Sequence, residues 1–423
     1  TSAFAIESDA QGGYWIGTEW GGVYHLDVES RDRLTKANFL ATNYVRHIQR
    51  SADGTLWLGA ADGIYKHAEG RVERVLERNW IIALNSDDQG DLWFGQGWIG
   101  GGVTRFNPKT REETTFTRAQ GLPDDSVWAL ERGLDGGVWI GTAGGLAQFR
   151  DGKIENAGAK LRLPGAVLSL RRDVEGALWI GSDAGLHRLE STNLVVMTPT
   201  NDAPIKDIWC SARTPDGIIW IGTDKNSLLG YDGQAMTMLD KRDGLLGNRI
   251  FALKPDADGS LLIGFIGDGL SRYRRTKTAP SVRLLEVKLE DRTFSEFANL
   301  PSTEIGKRVS VQYQEIDLKT HLEKRQFRYR VEGPSGEMLF AGITKDRRFE
   351  WTPRKGGAYA FEVQAIDRDL NYSKPARLTF RATVPWYANA WITAPGGGLF
   401  GGLVIWAFVA RAVYVRQRRE AER

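Results

Sequence analysis

The sequence has few of the side chains that usually build metal or redox sites. It contains one cysteine, Cys210, and five histidines in 423 residues. One cysteine excludes an internal disulfide, and the histidines are not paired at metal-ligand spacing. No Gly-x-Ser-x-Gly motif, phosphate-binding loop or Cys/His nucleophile pair occurs. We therefore predict no metal, no cofactor and no catalytic residue, and a fold held together by packing alone.

The chain also lacks a strong excess of charge of either sign. Its formal net charge is +3, and residues 411–423 alone carry five arginines and two glutamates. The rest is neutral overall, which argues against a nucleic-acid partner. No apolar signal segment opens the sequence, which starts at Thr1, so we expect it to be a piece of a longer protein.

Tryptophan and glycine, in contrast, are plentiful, with 15 and 49 copies, and they recur in a short phrase. The phrase returns at steps of 42, 36, 46, 40, 41 and 42 residues, the size of a four-stranded propeller blade. Its copies are Trp15-Ile16-Gly17, Trp57-Leu58-Gly59, Trp93-Phe94-Gly95, Trp139-Ile140-Gly141, Trp179-Ile180-Gly181, Trp220-Ile221-Gly222 and the variant Leu262-Ile263-Gly264. Both faces of such a strand are apolar, so packing between two neighbouring blades would cover both. The repeat predicts a seven-bladed β-propeller over residues 1–279.

The fullest copy of the repeat resembles a known family. Gly121-Leu122-Pro123-Asp124-Asp125-Ser126-Val127-Trp128, followed by Val138-Trp139-Ile140-Gly141-Thr142 and Gly144-Gly145-Leu146, is similar to the two-component regulator propeller repeat. The resemblance implies a periplasmic sensor of a membrane histidine kinase or a related bacterial signalling protein. Closure of the ring stays open: either Ser281–Glu290 completes the last blade, or the closing strand lies upstream of this sequence.

A different alternation, with a period of two, begins after the propeller repeats. Phe327, Tyr329 and Val331 share one strand face, and Tyr359, Phe361 and Val363 share another. Such strands, with turn signals between them, predict an Ig-like β-sandwich over residues 280–385. The segments around Tyr329 and Tyr359 resemble the Y_Y_Y domain, which in the same family lies between propeller and membrane. We expect these tyrosines to pack in the core.

The end of the chain predicts a membrane anchor. Residues 391–410 carry no charge, aromatic residues precede them, and arginines follow. This pattern indicates one transmembrane helix over 389–412 with a cytoplasmic C-terminus, and residues 413–423 would begin a cytoplasmic signalling helix. Gly397 with Gly401 and Gly398 with Gly402 have the spacing of a helix dimerisation face, so we expect a homodimer.

Ligand recognition is expected on the propeller face whose loops vary between repeats. The loops entering each first strand and those following each Trp-x-Gly strand should emerge together there. Tryptophans among charged and amide side chains suit a small polar ligand, such as an oligosaccharide, through ring stacking and charge-assisted hydrogen bonds. The candidate ligand-binding residues are Trp20, Arg46, Trp80, Trp98, Asp125, Trp128, Asp207, Lys225, Asn248 and Arg249.

These features lead to one functional hypothesis and two alternatives. The hypothesis is the extracytoplasmic sensing part of a receptor in the bacterial inner membrane, with propeller and sandwich in the periplasm. The membrane helix would relay binding to a cytoplasmic output domain outside this sequence. The alternatives are a membrane-tethered propeller enzyme, a lyase or hydrolase, and a protein-binding propeller.

Overall fold

The protein is described by a computed structural model that covers residues 2–9, 12–27, 34–37, 42–51, 53–173, 175–197, 205–225, 227–385 and 390–421. Over these residues it is almost entirely β-structure, as the sequence predicts. The chain divides into two compact units. The first unit is Thr1–Lys277 with Arg368–Leu370, and the second is Thr278–Asp367 with Asn371–Arg423.

Within the described residues, the first unit contains seven sheets, each made of consecutive antiparallel strands. The first three sheets are β1 (Ala3–Ser8), β2 (Tyr14–Thr18), β3 (Val23–Leu26), β4 (Leu34–Ala37); β5 (Val45–Arg50), β6 (Leu56–Ala60), β7 (Gly63–Ala68), β8 (Arg71–Glu77); and β9 (Ala83–Ser86), β10 (Leu92–Gly95), β11 (Val103–Phe106), β12 (Glu113–Phe116). The next two are β13 (Val127–Arg132), β14 (Val138–Thr142), β15 (Gly145–Arg150), β16 (Lys153–Glu155); and β17 (Val167–Arg172), β18 (Leu178–Ser182), β19 (Gly185–Glu190), β20 (Asn193–Met197). The last two are β21 (Ile208–Arg213), β22 (Ile219–Thr223), β23 (Leu228–Tyr231), β24 (Met236–Leu239); and β25 (Ile250–Pro255), β26 (Leu261–Phe265), β27 (Gly269–Tyr273). Helical turns are short: α1 (Ala157–Leu161) and 3-10 turns at Gly97–Ile99, Arg118–Gln120 and Lys241–Asp243.

The sheets pack in a propeller-like order. The first strand of each sheet contacts the first strand of the next, and β25 contacts β1. The Trp-x-Gly phrase always lies on the second strand, where its glycine makes this approach possible. A Cβ on Gly141 would lie 2.7 Å from Val167 Cγ1 in the next sheet, and one on Gly264 would lie 2.7 Å from the carbonyl oxygen of Ala3. The glycines therefore mark the packing of one sheet on the next, as the sequence predicts.

All seven sheets close their first hairpin with the same backbone hydrogen bond. The amide of the residue six positions before the repeat tryptophan, or its leucine substitute, donates to the carbonyl four residues later, at 2.7 to 3.0 Å. The donor residues are Asp9, Ser51, Asp87, Gly133, Asp173, Thr214 and Asp256. In two sheets the donor's own carboxylate also accepts the indole N–H: Trp93 Nε1 donates to Asp87 Oδ2 at 2.9 Å, and Trp179 Nε1 to Asp173 Oδ2 at 2.9 Å.

The second unit contains a two-sheet sandwich. One sheet has the order β29 (Arg292–Phe294), β28 (Ser281–Leu289), β31 (Val309–Ile316), β34 (Arg348–Trp351). The other has the order β30 (Thr303–Glu304), β36 (Ala376–Thr383), β35 (Gly357–Ile366), β32 (Gln326–Glu332), β33 (Met338–Thr344), and a 3-10 turn covers Leu322–Lys324. Both sheets contribute to one apolar core, which buries Tyr313 and Tyr359 and against which Tyr329 packs. The predicted packing role of the tyrosines is confirmed.

Strand β28 corrects one of the two expectations for ring closure. Ser281–Leu289 pairs with β31 and β29 in the sandwich, so it does not complete the last sheet of the first unit. That sheet has three strands among the described residues. The alternation of Val282, Leu284 and Val287 fits a sandwich strand because these side chains pack on the sandwich core.

The chain ends in one long helix, α2 (Ala390–Ala421). It covers residues 390–412 of the predicted membrane segment and continues without a break through residues 413–421 of the segment predicted to follow, and the other residues of both predictions lie outside the described ones. The apolar side chains from Leu403 to Val409 are exposed, with Phe408 at 70 %. The helix is thus confirmed but its membrane crossing is not: among the described residues, no helix combines the length and apolar character that a bilayer span requires.

Candidate functional site

A β-bulge is repeated in the first strands of six of the seven sheets. In each, the second residue of the strand has no partner on the next strand, as between Ala3 and Ala5 or between Val45 and His47. A bulge leaves its extra residue outside the ladder and turns its side chain in a new direction. The bulged residues are Phe4, Arg46, Trp128, Leu168, Trp209 and Phe251. Five of these six side chains are apolar and one is cationic.

The six bulged residues line a single cavity of 680 Å³. The first strands of all seven sheets contribute to its wall, and Ile82 stands where the third sheet has no bulge. This volume falls in the range of small-molecule sites. Each sheet therefore contributes one such side chain to the wall of a ligand-sized cavity.

Aromatic rings connect the bulges to the surrounding loops. Trp209 stacks on Phe251 with ring centroids 4.6 Å apart, and Trp128 meets Trp209 edge-on at 6.0 Å. From there the contacts continue outward, since Trp98 lies 4.9 Å from Trp128. On the other side, Phe4 lies 5.5 Å from Tyr44. We call the whole set the aromatic mouth, and its members are Phe4, Trp20, Tyr44, Trp80, Trp98, Trp128, Trp209 and Phe251.

Arg46 is the cation of the aromatic mouth. Its guanidinium carbon lies 4.3 Å from the ring centroid of Phe4, 5.1 Å from that of Phe251 and 5.5 Å from that of Trp98. Burial lowers the pKa of Arg46, yet a guanidinium stays protonated at neutral pH. No carboxylate of the described residues forms an ion pair with it. The guanidinium packs on ring faces and also interacts with the Tyr44 hydroxyl and, electrostatically, with Glu19. A guanidinium has five N–H donors, so it can also donate to a ligand.

Three tryptophans of the mouth are open to solvent. Trp20 is 71 % exposed, Trp98 59 % and Trp80 38 %. The backbone of Trp80 has a positive φ of 55°, which few residues of this size adopt. Its amide is nonetheless fixed, because it donates to the carbonyl of Ala61 at 2.9 Å. The three exposed indoles offer flat apolar surfaces to a ligand, and that of Trp80 stands on a fixed backbone.

The structure thus brings together five of the ten predicted site residues: Trp20, Arg46, Trp80, Trp98 and Trp128. The other five are polar and do not belong to the aromatic mouth. Asp125 accepts a hydrogen bond from the amide of Arg118 at 2.7 Å, which engages it within its own loop. Lys225 is exposed.

The remaining three predicted polar residues lie in the loops that precede β21 and β25. Arg249 Nε pairs with Asp224 Oδ1 at 2.7 Å, and Asn248 accepts a hydrogen bond from Ser227 at 2.9 Å. Asp207 has a φ of 53°, and its carbonyl accepts from the amide of Asp224 at 3.2 Å. These residues stand two or three positions before the bulges of Trp209 and Phe251, so they form a polar rim beside the aromatic mouth.

Four members of the mouth were not predicted from the sequence: Phe4, Tyr44, Trp209 and Phe251. The signal for three of them was present, because Phe4, Trp209 and Phe251 occupy the same repeat position as Arg46 and Trp128. The bulge depends on how two strands pair, and a single sequence does not reveal that pairing. Among the described residues, no group of three or more His, Cys, Asp or Glu side chains is placed to hold a metal ion.

Comparisons with known proteins give likenesses of structure only. No protein-family profile matches the sequence, and no curated protein matches it. The fold is similar to the extracellular domain of a candidate hybrid two-component system, BT3049, from B. thetaiotaomicron, with 18% identity and a TM-score of 0.60 over 90% of this chain. It is also similar to the extracellular domain of the candidate hybrid system BT4673 from the same organism, with 18% identity and a TM-score of 0.54 over 91% of this chain.

A third similar structure is an enzyme. Virginiamycin B lyase from Staphylococcus aureus matches 64% of this chain and 94% of its own, with 14% identity and a TM-score of 0.51. The chain spans little more than half of the sensor domains, 55% of BT3049 and 57% of BT4673. At these identities the likenesses show the fold, which this chain shares with extracellular domains of two-component sensor candidates.

Proposed function

We propose that this chain is the extracytoplasmic sensing part of a bacterial two-component receptor, and that its aromatic mouth binds a small polar ligand of the carbohydrate class. The observation that carries the proposal is Arg46 among the rings of Phe4, Trp98 and Phe251; of these residues, Arg46, Phe4 and Phe251 line one end of a ligand-sized cavity. The solved sensor domains with the same fold support the sensing role.

The chemistry of the mouth suits a sugar better than a wholly apolar ligand. Pyranose rings present C–H faces that stack on indoles, and the exposed rings of Trp20, Trp80 and Trp98 offer such surfaces. The hydroxyl groups of a sugar need hydrogen-bond donors and acceptors, which the polar rim supplies. Arg46 adds a fork of donors for a hydroxyl or an acidic substituent.

We also propose the finer architecture behind this site. The seven sheets would be the blades of a seven-bladed ring, since each contacts the next and β25 contacts β1. The sandwich would be a Y_Y_Y domain, on the strength of its buried tyrosines and two-sheet core.

Helix α2 would transmit the ligand-binding signal to the cytoplasm. In this proposal α2 anchors the protein in the inner membrane, with the propeller and sandwich in the periplasm and the C-terminus in the cytoplasm. Two copies would form a homodimer through the helix face carrying Gly397, Gly398, Gly401 and Gly402. Ligand binding would favour one arrangement of the dimer by its differential affinity for the two arrangements.

Binding to arrayed neutral and acidic oligosaccharides tests the site. We expect the full chain to bind a defined subset, and Trp98→Ala and Arg46→Gln each to weaken that binding about tenfold or more, since each removes a stacking surface or a charged donor. Val196→Ala is the matched control because Val196 is 56 % exposed on the outer strand β20.

Two results would contradict the proposal. One is equal binding by Trp98→Ala, Arg46→Gln and the control; the other is binding to no oligosaccharide at all. Product analysis of the same incubations separates sensing from the enzyme alternative, since a receptor returns the oligosaccharides unchanged and a lyase or hydrolase shortens them.

A further inference from the structure

The opposite end of the cavity is lined by cations. Four first strands end in arginine at the same register, and two further cations stand one position earlier in their strands. All six line the cavity. They are Arg50, Arg132, Arg172 and Arg213, with Arg171 and Lys254. We call this set the arginine end.

Three of the six cations have carboxylate partners. Lys254 Nζ lies 2.6 Å from Glu7 Oε1, Arg132 Nη1 lies 2.7 Å from Asp88 Oδ1, and Arg213 Nη2 lies 3.0 Å from Glu175 Oε1. These pairs hold their side chains to the strands and hairpins around the opening.

The other three cations, Arg50, Arg171 and Arg172, form no ion pair with any carboxylate in the described part of the chain. Arg50 Nη1 donates to the carbonyl of Ser8 at 3.5 Å, and Arg172 Nη2 donates to the carbonyl of Arg132. Arg172 Nε is buried without a hydrogen-bond partner. A buried charged donor left unsatisfied is costly unless a ligand supplies the acceptor.

The acids that line this end do not fill that role. Glu7 is taken by Lys254, and Asp173 accepts the indole N–H of Trp179 at 2.9 Å. Glu131 interacts electrostatically with Arg171 and Arg172 without forming an ion pair with either; burial raises the pKa of its carboxyl group, and the two arginines oppose that shift. Arg50, Arg171 and Arg172 thus line the cavity with no carboxylate of the described residues at ion-pair distance.

We propose that the arginine end is a second binding site, separate from the aromatic mouth, for a small oxyanion with two or more negative charges. Arg50, Arg171 and Arg172 would bind it. Guanidinium groups present paired N–H donors that match phosphate and carboxylate oxygens, and a partly enclosed cavity strengthens such bonds. The inference does not depend on the ligand of the mouth or on a signalling role.

Calorimetric titration of the full chain at constant ionic strength tests this site, with inorganic phosphate and citrate as probes and chloride as the background salt. We expect saturable binding of at least one probe. Phosphate alone would indicate a single tetrahedral group, and citrate alone would indicate separated carboxylates. Arg172→Gln and Arg50→Gln should each weaken binding about tenfold, since each removes a charge-assisted donor pair.

Matched variants separate a built site from general charge attraction. Arg150→Gln removes an exposed arginine that pairs with Asp135 at 3.2 Å on the outer part of the fourth sheet, and it should bind like the parent. Arg172→Lys keeps the charge without the fork, so its affinity should fall between those of the parent and Arg172→Gln. Thermal unfolding of each variant confirms that it is folded.

The proposal is overturned if neither probe binds, or if Arg150→Gln loses as much affinity as Arg172→Gln. Arg46→Gln is informative because it lies at the other end of the cavity. Oxyanion binding that survives Arg46→Gln but not Arg172→Gln assigns the site to the arginine end, whereas the reverse result refutes it.

Discussion

At the level of single residues, the site depends on one position of the repeat. In our proposal the residue at the bulge contacts the ligand, while its neighbours in the strand pack between the sheets. Arg46 and Trp128 were predicted because they stand where the loops enter the first strands and offer charged or aromatic side chains, but Trp209 and Phe251 looked like ordinary apolar strand residues. What separates them is the bulge, a property of the pairing between two strands that no single side chain encodes.

His47 follows the bulge at Arg46 and supplies a prediction about pH. Burial lowers the pKa of His47 to about 4, and Arg46 lowers it further while Glu7 opposes the shift. In the unfolded chain its pKa would be about 6.5. The folded protein therefore holds this imidazole neutral between these values, where the unfolded chain binds a proton. The free energy of unfolding should therefore carry no penalty from His47 above pH 6.5, and it should fall as the pH drops toward 4.

Urea unfolding at pH 7 and pH 5 measures this effect. Between pH 7 and pH 5 the free energy of unfolding should decrease less in His47→Gln than in the parent, because glutamine does not titrate. The difference should be on the order of 2 kcal/mol at pH 5. At pH 7 the variant and the parent should differ in stability only through the packing of the new side chain. An identical pH dependence in the variant and the parent would refute the assignment to His47.

At the level of elements, strands and hairpins follow the sequence closely because period-two patterns and turn residues are local signals. The Trp-x-Gly strands and the tyrosine strands of the sandwich were both predicted. Strand β28 was harder, since Ser281–Leu289 alternates in a way that suits either a blade or a sandwich. Its choice of partner, β31, depends on contacts that are distant in the sequence.

Gly141 tests how tightly one sheet packs on the next. Gly141→Val would place a branched side chain against Val167, whose Cγ1 would lie 2.7 Å from the new Cβ. We expect a loss of about 1–3 kcal/mol in the free energy of unfolding, the usual cost of overpacking. Urea unfolding measures it.

The control for this substitution is Val196→Ala, because Val196 is 56 % exposed on strand β20. It should leave unfolding unchanged. A stable Gly141→Val variant would mean that neighbouring sheets can move apart at little cost, which the repeated glycine contacts argue against.

At the level of the whole molecule, composition and repeat length indicated an all-β chain with a terminal helix, and the structure has both. The role of that helix depends on what surrounds it. Its apolar residues from Leu403 to Val409 are exposed, and our proposal gives them a cover. In our proposal that cover is lipid.

Membrane fractionation tests the proposed anchor. The full chain, directed to the periplasm by an added export signal, should stay in the membrane fraction after an alkaline wash. A chain that ends at Pro385 should be released into the soluble periplasmic fraction. Release of both would rule out anchoring by α2, and retention of both would place the membrane contact in the folded units.

The repeated bulge also bears on how such a protein changes its specificity. A bulged residue takes no part in the ladder, so its side chain can be exchanged without altering strand register or the glycine contacts between sheets. Six such positions surround one cavity, and those whose side chains are in contact, such as Trp209 and Phe251, would be exchanged in concert. A lineage could therefore move from one ligand to another by substitutions at these positions, each tested against an unchanged scaffold.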